Sequence, residues 1–192
     1  MKFYQVASVV LFSFLLYACE KNESVAFHFT DISGAIFGTE FELQDHHGVV
    51  QTLDDFSGKV VLVFFGYTEC PDMCPTTLAN LTQVMDGLGQ NANQVQVLFV
   101  TLDPETDQPD KLSQYVSAFD ARFLGLTGTE AIIRRTAQEF KVHVKTVENQ
   151  EEVEHSTGTY IFDQSGNLRL YARYGSSVGE FLHDINMLLK LS

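Results

Sequence analysis

Two cysteines with three residues between them, Cys70 and Cys74, are the part of this sequence best suited to chemistry. They follow a continuous apolar run, residues 60–65, and precede leucines at helical spacing, so the pair is predicted where a strand turns into a helix. Backbone N–H groups and the helix dipole stabilise negative charge at such a position, which predicts a lowered thiol pKa. Both sulfurs can face the same side of one turn, so a disulfide and a two-thiolate metal site are both feasible.

Two thiolates favour a soft metal, and both copper(I) with three ligands and zinc with four ligands satisfy that preference. The next ligand must come from elsewhere, and His155 is the candidate because it lies in a polar loop just before a predicted strand at Thr159. In thioredoxin-like folds that loop faces the dithiol. The other histidines of the six are interpreted as structural or surface residues, and they are His28, His46, His47, His143 and His183.

The surrounding pattern predicts an α/β domain with a thioredoxin-like fold and an N-terminal β-hairpin extension. Strands are predicted at 41–45, 49–53, 60–65, 94–102, 142–147, 159–162 and 168–171, and helices at 75–88, 110–119, 129–140 and from the capping box at Ser177 onward. Pro75 is assigned to the first helical position. A doubly wound, flavodoxin-like fold is the alternative, which is disfavoured because the last two strands are too close together for a crossover helix.

The N-terminus carries an export signal, in which Lys2 precedes an apolar run over about residues 4–18 that is too short to span a membrane comfortably. Residues 16–19 resemble a bacterial lipobox, so Cys19 is expected to become the lipid-bearing first residue. An ordinary secretory signal or an uncleaved anchor are the alternatives. The predicted organisation is a lipoprotein signal peptide at 1–18, an exposed linker at 19–31 and one domain at 32–192.

The net charge argues against one class of function, nucleic-acid binding, and the number of cysteines bears on the state of the dithiol. The chain has 12 Lys and Arg against 25 Asp and Glu, a formal net charge of -13, with no basic stripe. Such a surface repels phosphate backbones, which argues against nucleic-acid binding. With Cys19 carrying lipid, Cys70 and Cys74 remain as an isolated pair in an oxidising compartment.

Four segments carry a resemblance to a known family: residues 61–68, residues 70–78, residues 100–104, and His155-Ser156-Thr157 ahead of Thr159. In these segments the chain resembles the Sco/SenC proteins, copper-handling thioredoxin-like proteins associated with the assembly of cytochrome c oxidase. The resemblance extends from about residue 30 to the C-terminus.

The resemblance implies that Cys70, Cys74 and His155 bind copper. It also implies that Asp103 lies near the site, either supporting it or acting as an extra ligand for copper(II). Asp103 directly before Pro104 equally fits an ordinary turn, and that interpretation stays open.

The expected function is therefore a copper metallochaperone, not an enzyme in the strict sense, that delivers copper to the dinuclear copper centre of cytochrome c oxidase. We expect it in the bacterial cell envelope, lipid-anchored to the membrane and facing the periplasm or extracytoplasmic space. Its expected partners are the copper-bearing oxidase subunit and a thiol-disulfide reductant. Oxidation of Cys70 and Cys74 to a redox-active disulfide would abolish metal binding.

Two other functions use the same fold. A thiol-disulfide oxidoreductase could keep the cysteines of the oxidase subunit reduced, but disulfide exchange needs no imidazole at His155, and no Thr-Pro precedes the Tyr160 strand as it does in thioredoxins. A peroxiredoxin-like peroxidase is disfavoured because the chain lacks a Thr-x-x-Cys context with a supporting arginine.

Overall fold

A computed structural model describes residues 26–146, 153–155 and 158–191, with the backbone alone for 144–146 and 153–155. The predicted signal peptide at 1–18 and the predicted lipid anchor Cys19 lie outside these residues. Within the described ranges, no helix combines the length and the apolar character needed to cross a membrane.

The described chain folds into a mixed α/β domain. Its strands are β1 (Thr30–Asp31), β2 (Glu42–Asp45), β3 (Val50–Thr52), β4 (Val60–Gly66), β5 (Val95–Thr101), β6 (Leu124–Thr127), β7 (Val144–Thr146), β8 (Val153–His155), β9 (Thr159–Phe162) and β10 (Leu168–Ala172). Its α-helices are α1 (Met73–Leu88), α2 (Pro109–Phe119), α3 (Glu130–Glu139) and α4 (Val178–Lys190), and short 3-10 helices lie at Leu53–Phe56 and Gly89–Gln94.

Eight strands form one sheet in the order β1-β10-β9-β4-β5-β6-β2-β3, and β7 and β8 form a separate pair. Strands β4, β5 and β6 are parallel, whereas β9 runs antiparallel to β4. The antiparallel β9 excludes the doubly wound alternative. The predicted thioredoxin-like arrangement is confirmed, and its hairpin extension, β2 and β3, joins the sheet beside β6.

Strand β4 lies at the centre because both of its faces are apolar, and all seven of its residues are buried. Val60, Leu62 and Phe64 point to a core that includes residues of α1, α2 and α4. The alternate residues of β4 point to a second core under α3 and the hairpin. Helices therefore cover the sheet on both faces, and the loop after β4 emerges at its edge.

The dithiol helix begins earlier than the sequence predicted. Helix α1 starts at Met73 with Asp72 as its N-cap, so Pro75 occupies the third helical position and not the first. All of the first-turn positions tolerate proline, because their N–H groups have no partner within the helix. Cys74 consequently lies inside the first turn, and Cys70 lies in the loop before it.

Three short strands were not predicted. Strands β1 and β6 have only two and four residues, too few for a periodic pattern, and β8 includes His155, which was expected in a loop. The expected exposure of the linker 19–31 is also wrong at Phe29, which is buried against α4. Part of that segment therefore belongs to the folded domain.

Candidate metal centre

The two cysteines lie together at the start of α1, and both are free thiols. The backbone N–H of Cys74 donates to the Sγ atom of Cys70 at 3.4 Å. Cys70 is 7% exposed and Cys74 is fully buried. Metal or an oxidant therefore reaches the pair from the Cys70 side.

Burial decides the protonation of Cys74. Loss of water around its sulfur raises the pKa of the Cys74 thiol far above its ordinary value, and the neighbouring Cys70 and Asp107 add to the rise. A hydrogen bond from the Tyr67 backbone acts in the opposite direction but is the smaller effect. The lowered thiol pKa predicted from the helix start is thus wrong for Cys74. The cost of removing water from its thiolate outweighs the stabilisation that the helix start gives to negative charge.

Gly66 lets the buried sulfur reach this position. A Cβ atom at Gly66 would lie 2.6 Å from Cys74 Sγ and 2.9 Å from a ring carbon of Phe99. Real atoms do not approach so closely, so any larger residue at the end of β4 would push the sulfur away. The last residue of the central strand therefore sets the place of the second thiol.

A buried carboxylate that the sequence interpretation missed holds the loops around the dithiol. Asp107 is fully buried. It accepts hydrogen bonds from the Thr68 backbone N–H at 3.0 Å, from Thr68 Oγ1 at 2.5 Å and from Thr101 Oγ1 at 2.7 Å. It thereby ties the loop after β4 to the end of β5. No sequence pattern around Asp107 indicated that its carboxylate would be buried or would bind these loops.

Asp103 lies in the loop after β5, next to the dithiol loop, because Gly66 pairs with Thr101 in the parallel register of β4 and β5. Its Oδ1 atom accepts from the Thr106 backbone N–H at 3.2 Å, and its own N–H donates to Thr101 Oγ1 at 3.0 Å. These bonds are those of a turn. They leave its second carboxylate oxygen for another partner.

His155 and the start of β9 lie on either side of a short gap in the described chain. Strand β8 ends at His155 and pairs with β7 through Val144. Thr159 then begins β9 opposite Phe64, near the end of β4. The start of β9 consequently lies near the sheet edge from which the dithiol loop emerges. Residues 156–157 and the His155 side chain lie outside the described part of the chain.

Tyr115 of α2 adds an unexpected polar atom to this interior. Its hydroxyl is buried and has no hydrogen-bond partner among the side chains that the structure describes. Burial raises the pKa of Tyr115, and Cys74, Cys70 and Asp107 act in the same direction. The hydroxyl therefore interacts electrostatically with all three groups. Its sequence signal was only that of an aromatic residue on an amphipathic helix.

The donor set fits a soft monovalent cation. Two free sulfurs, one in the loop before α1 and one in its first turn, lie in a largely apolar interior, whereas a hard cation needs several oxygen ligands. Glu69, the acidic residue beside Cys70, forms an ion pair with Lys111 at 2.7 Å. This ion pair argues against Glu69 as a metal ligand. Cys70 and Cys74 would hold copper(I), with one further ligand needed.

Comparison with known proteins points the same way. The model of the SCO1/SenC family matches residues 30–190. The SCO2-like protein of Rickettsia felis is 33% identical over 150 residues, which span 76% of this chain and 73% of that protein. Four such Rickettsia proteins are matched over 65% to 73% of their own length.

Solved structures agree in fold. ScoI of Bradyrhizobium japonicum, solved with copper bound, is 32% identical with a TM-score of 0.72, and the match covers 81% of this chain and 100% of that one. Two structures at 23% identity show the fold alone, each over 85% of this chain and 99% of the other. They are a SCO1/SenC family lipoprotein of Bacillus anthracis, with a TM-score of 0.72, and BsSco, with a TM-score of 0.69. BsSco is described as having a disulfide switch and as a member of the Sco family of cytochrome c oxidase assembly proteins.

Proposed function

Because the chain belongs to the SCO1/SenC family, we propose that it is a copper metallochaperone for the dinuclear copper centre of cytochrome c oxidase. Cys70, Cys74 and His155 are the proposed ligands. The observation that carries this proposal is the pair of free sulfurs at the start of α1, with the Cys74 N–H donating to Cys70 Sγ at 3.4 Å. The copper-bound state of the related ScoI structure supports it.

The protein's own contribution to loading is the control of the Cys74 proton. The raised pKa of Cys74 keeps that thiol protonated until copper arrives, so copper binding must release its proton. Copper leaves by ligand exchange, in which thiolates of the client subunit replace those of the chaperone one at a time. Cys70, the less buried of the two sulfurs, is the one that a client ligand can reach first.

Redox chemistry acts as a switch on this site. Joining Cys70 and Cys74 in a disulfide removes two protons and two electrons from the pair and abolishes both thiolate ligands. A thiol-disulfide reductant must then return the electrons before copper binds again. The disulfide switch described for BsSco supports this coupling.

A thiol-disulfide oxidoreductase that reduces the oxidase subunit is the second candidate. The graded burial of the cysteines favours it, because Cys70 is accessible for attack on a client disulfide while Cys74 is held behind it to resolve the mixed disulfide. The metallochaperone ranks first because the oxidoreductase makes no use of a third ligand.

We further propose that Cys19 carries lipid and anchors the domain to the bacterial membrane on its periplasmic or extracytoplasmic side. The lipoprotein relative from Bacillus anthracis supports that placement. Asp103 is proposed as an auxiliary oxygen ligand for copper(II), which prefers harder donors than copper(I) does.

A copper(I) titration of the reduced protein against a competing chelator tests the ligand set. We expect about one copper per chain, loss of binding in Cys70→Ala and Cys74→Ala, and at least about tenfold weaker binding in His155→Ala. His47→Ala is the matched control, because His47 is exposed in the hairpin on the far side of β6, and should bind as the unaltered protein does.

The outcomes separate the candidates. Unchanged copper binding by His155→Ala would reject the three-ligand site. Turnover of a disulfide-bonded oxidase subunit by the reduced protein, at a rate that does not depend on copper, would place the oxidoreductase first.

A further inference from the structure

A second group of metal-ligating side chains lies between the N-terminal segment and the last helix. His28 precedes β1, and His183 and Asp184 are neighbours on α4. One ligand atom from each of the three residues lies within 4.8 Å of the others. The two imidazole rings contact edge to face, with their centres 4.5 Å apart. None of these residues takes part in the dithiol site.

Asp184 is the fixed centre of this group. Its carboxylate is fully buried, and it accepts hydrogen bonds from the backbone N–H groups of His28 at 3.0 Å and Phe29 at 2.9 Å. Its Oδ1 atom also lies 2.8 Å from Nδ1 of His183. A carboxylate oxygen and an imidazole nitrogen this close together can both be bound by the same ion.

The histidine side chains are not needed to hold the segment in place. Phe29 packs edge to face on Phe181 with ring centres 4.7 Å apart, and the two backbone bonds to Asp184 complete the attachment. Both histidines are exposed, with 43% of the His183 side chain accessible. The contact between the two imidazoles is therefore separate from the contacts that attach the segment to α4.

We infer that His28, His183 and Asp184 form a second metal site, which takes one divalent cation of the imidazole-binding class, copper(II) or zinc. Two imidazoles and a carboxylate suit these borderline ions, whereas copper(I) prefers the sulfurs of Cys70 and Cys74. Ligand atoms about 2.0–2.2 Å from one ion are at most about 4.4 Å apart. The exposed imidazoles reach that spacing with a small side-chain movement.

Such an ion would join two distant parts of the chain. His28 and Asp184 are separated by 156 residues in sequence, and the ion would bind both. Binding would therefore fasten the segment that leads from the N-terminus onto the C-terminal helix. This inference does not depend on the proposed function, because its ligands and its metal class differ from those of the dithiol.

The test uses the full chain with Cys19→Ser, Cys70→Ser and Cys74→Ser, so that no thiolate competes. Copper(II) and zinc are each titrated by calorimetry, and the copper(II) complex is examined by electron paramagnetic resonance. We expect about one ion per chain, nitrogen coupling from imidazole in the copper spectrum, and a rise in the unfolding temperature with zinc.

His28→Ala and His183→Ala, each in that background, should weaken binding at least about tenfold while the protein stays folded, since both side chains are exposed. His47→Ala is the matched control, because His47 also contacts a second imidazole, that of His46, at 4.1 Å between ring centres. Absence of binding in the background protein, or equal weakening by His47→Ala, would overturn the inference.

Discussion

At the residue scale, Tyr115 stands out because its buried hydroxyl has no hydrogen-bond partner among the described side chains. A desolvated hydroxyl without a partner costs free energy, so Tyr115→Phe is expected to leave the free energy of unfolding unchanged or to raise it by up to about 1 kcal/mol. Urea unfolding of the reduced protein measures this difference.

Tyr160 supplies the matched control for that measurement. Its hydroxyl is also buried, but it donates to the Phe140 carbonyl at 2.6 Å. Tyr160→Phe should therefore lose about 1–2 kcal/mol of stability. An equal loss in Tyr115→Phe would show that the Tyr115 hydroxyl does have a hydrogen-bond partner.

Cys74 predicts a dependence of stability on pH. The folded protein holds the thiol pKa above the ordinary value of 9.0, so above that pH the unfolded chain releases a proton that the folded chain retains. The unfolded state then binds fewer protons, and the free energy of unfolding falls as pH rises, by about 0.8 kcal/mol between pH 8 and pH 9.5.

Urea unfolding under reducing conditions at those two pH values checks this prediction, with Cys74→Ala as the comparison. The variant should lose about 0.8 kcal/mol less than the unaltered protein over the same interval. An identical pH dependence of the two proteins would contradict the raised pKa of Cys74.

At the scale of elements, the loops after β4 and β5 depend on one carboxylate. Asp107→Ala would leave the Thr68 N–H and the Thr101 hydroxyl without their buried acceptor. We expect a loss of about 2–4 kcal/mol in the free energy of unfolding and weaker copper(I) binding, because the dithiol loop is no longer held.

Asp110→Ala is the control for this prediction. Asp110 is an exposed carboxylate in the first turn of α2, three residues after Asp107. Its loss should cost less than about 1 kcal/mol, mainly through the helix dipole, and should leave copper affinity unchanged. Comparable losses from both variants would show that general charge, and not the buried hydrogen bonds, stabilises the loops.

At the scale of the whole molecule, copper binding and folding are linked. The proposed ligands Cys70 and Cys74 come from the loop after β4 and from α1, and both are buried only in the folded chain. A ligand that binds the folded state at about 100 times its dissociation constant adds about 2.7 kcal/mol of stability. Copper(I) should therefore raise the unfolding temperature of the reduced protein.

The disulfide form provides the comparison. With Cys70 and Cys74 joined, neither sulfur is available, and copper(I) should leave the unfolding temperature unchanged. Differential scanning calorimetry of the two forms, with and without copper, measures the effect. A rise of the same size in the oxidised protein would place the copper elsewhere.

The sequence alone determined the order and type of most elements. The run at 60–65 is apolar on both faces, and only a central parallel strand buries both. The spacing of apolar residues likewise marked the long helices, and Ser177 with Glu180 marked the start of α4, where both capping-box bonds are present. These features are local, so a window of neighbouring residues is enough to predict them.

Tertiary structure decided what depends on distant neighbours. The pKa of Cys74 is set by burial behind Gly66, and the role of Asp107 is set by partners on two strands. The group of His28, His183 and Asp184 exists only because the segment before β1 meets α4. The sequence located the dithiol, because Cys70 and Cys74 are close neighbours in the chain at a predicted strand-to-helix turn, but desolvation and contacts between remote segments appear only when the chain has folded.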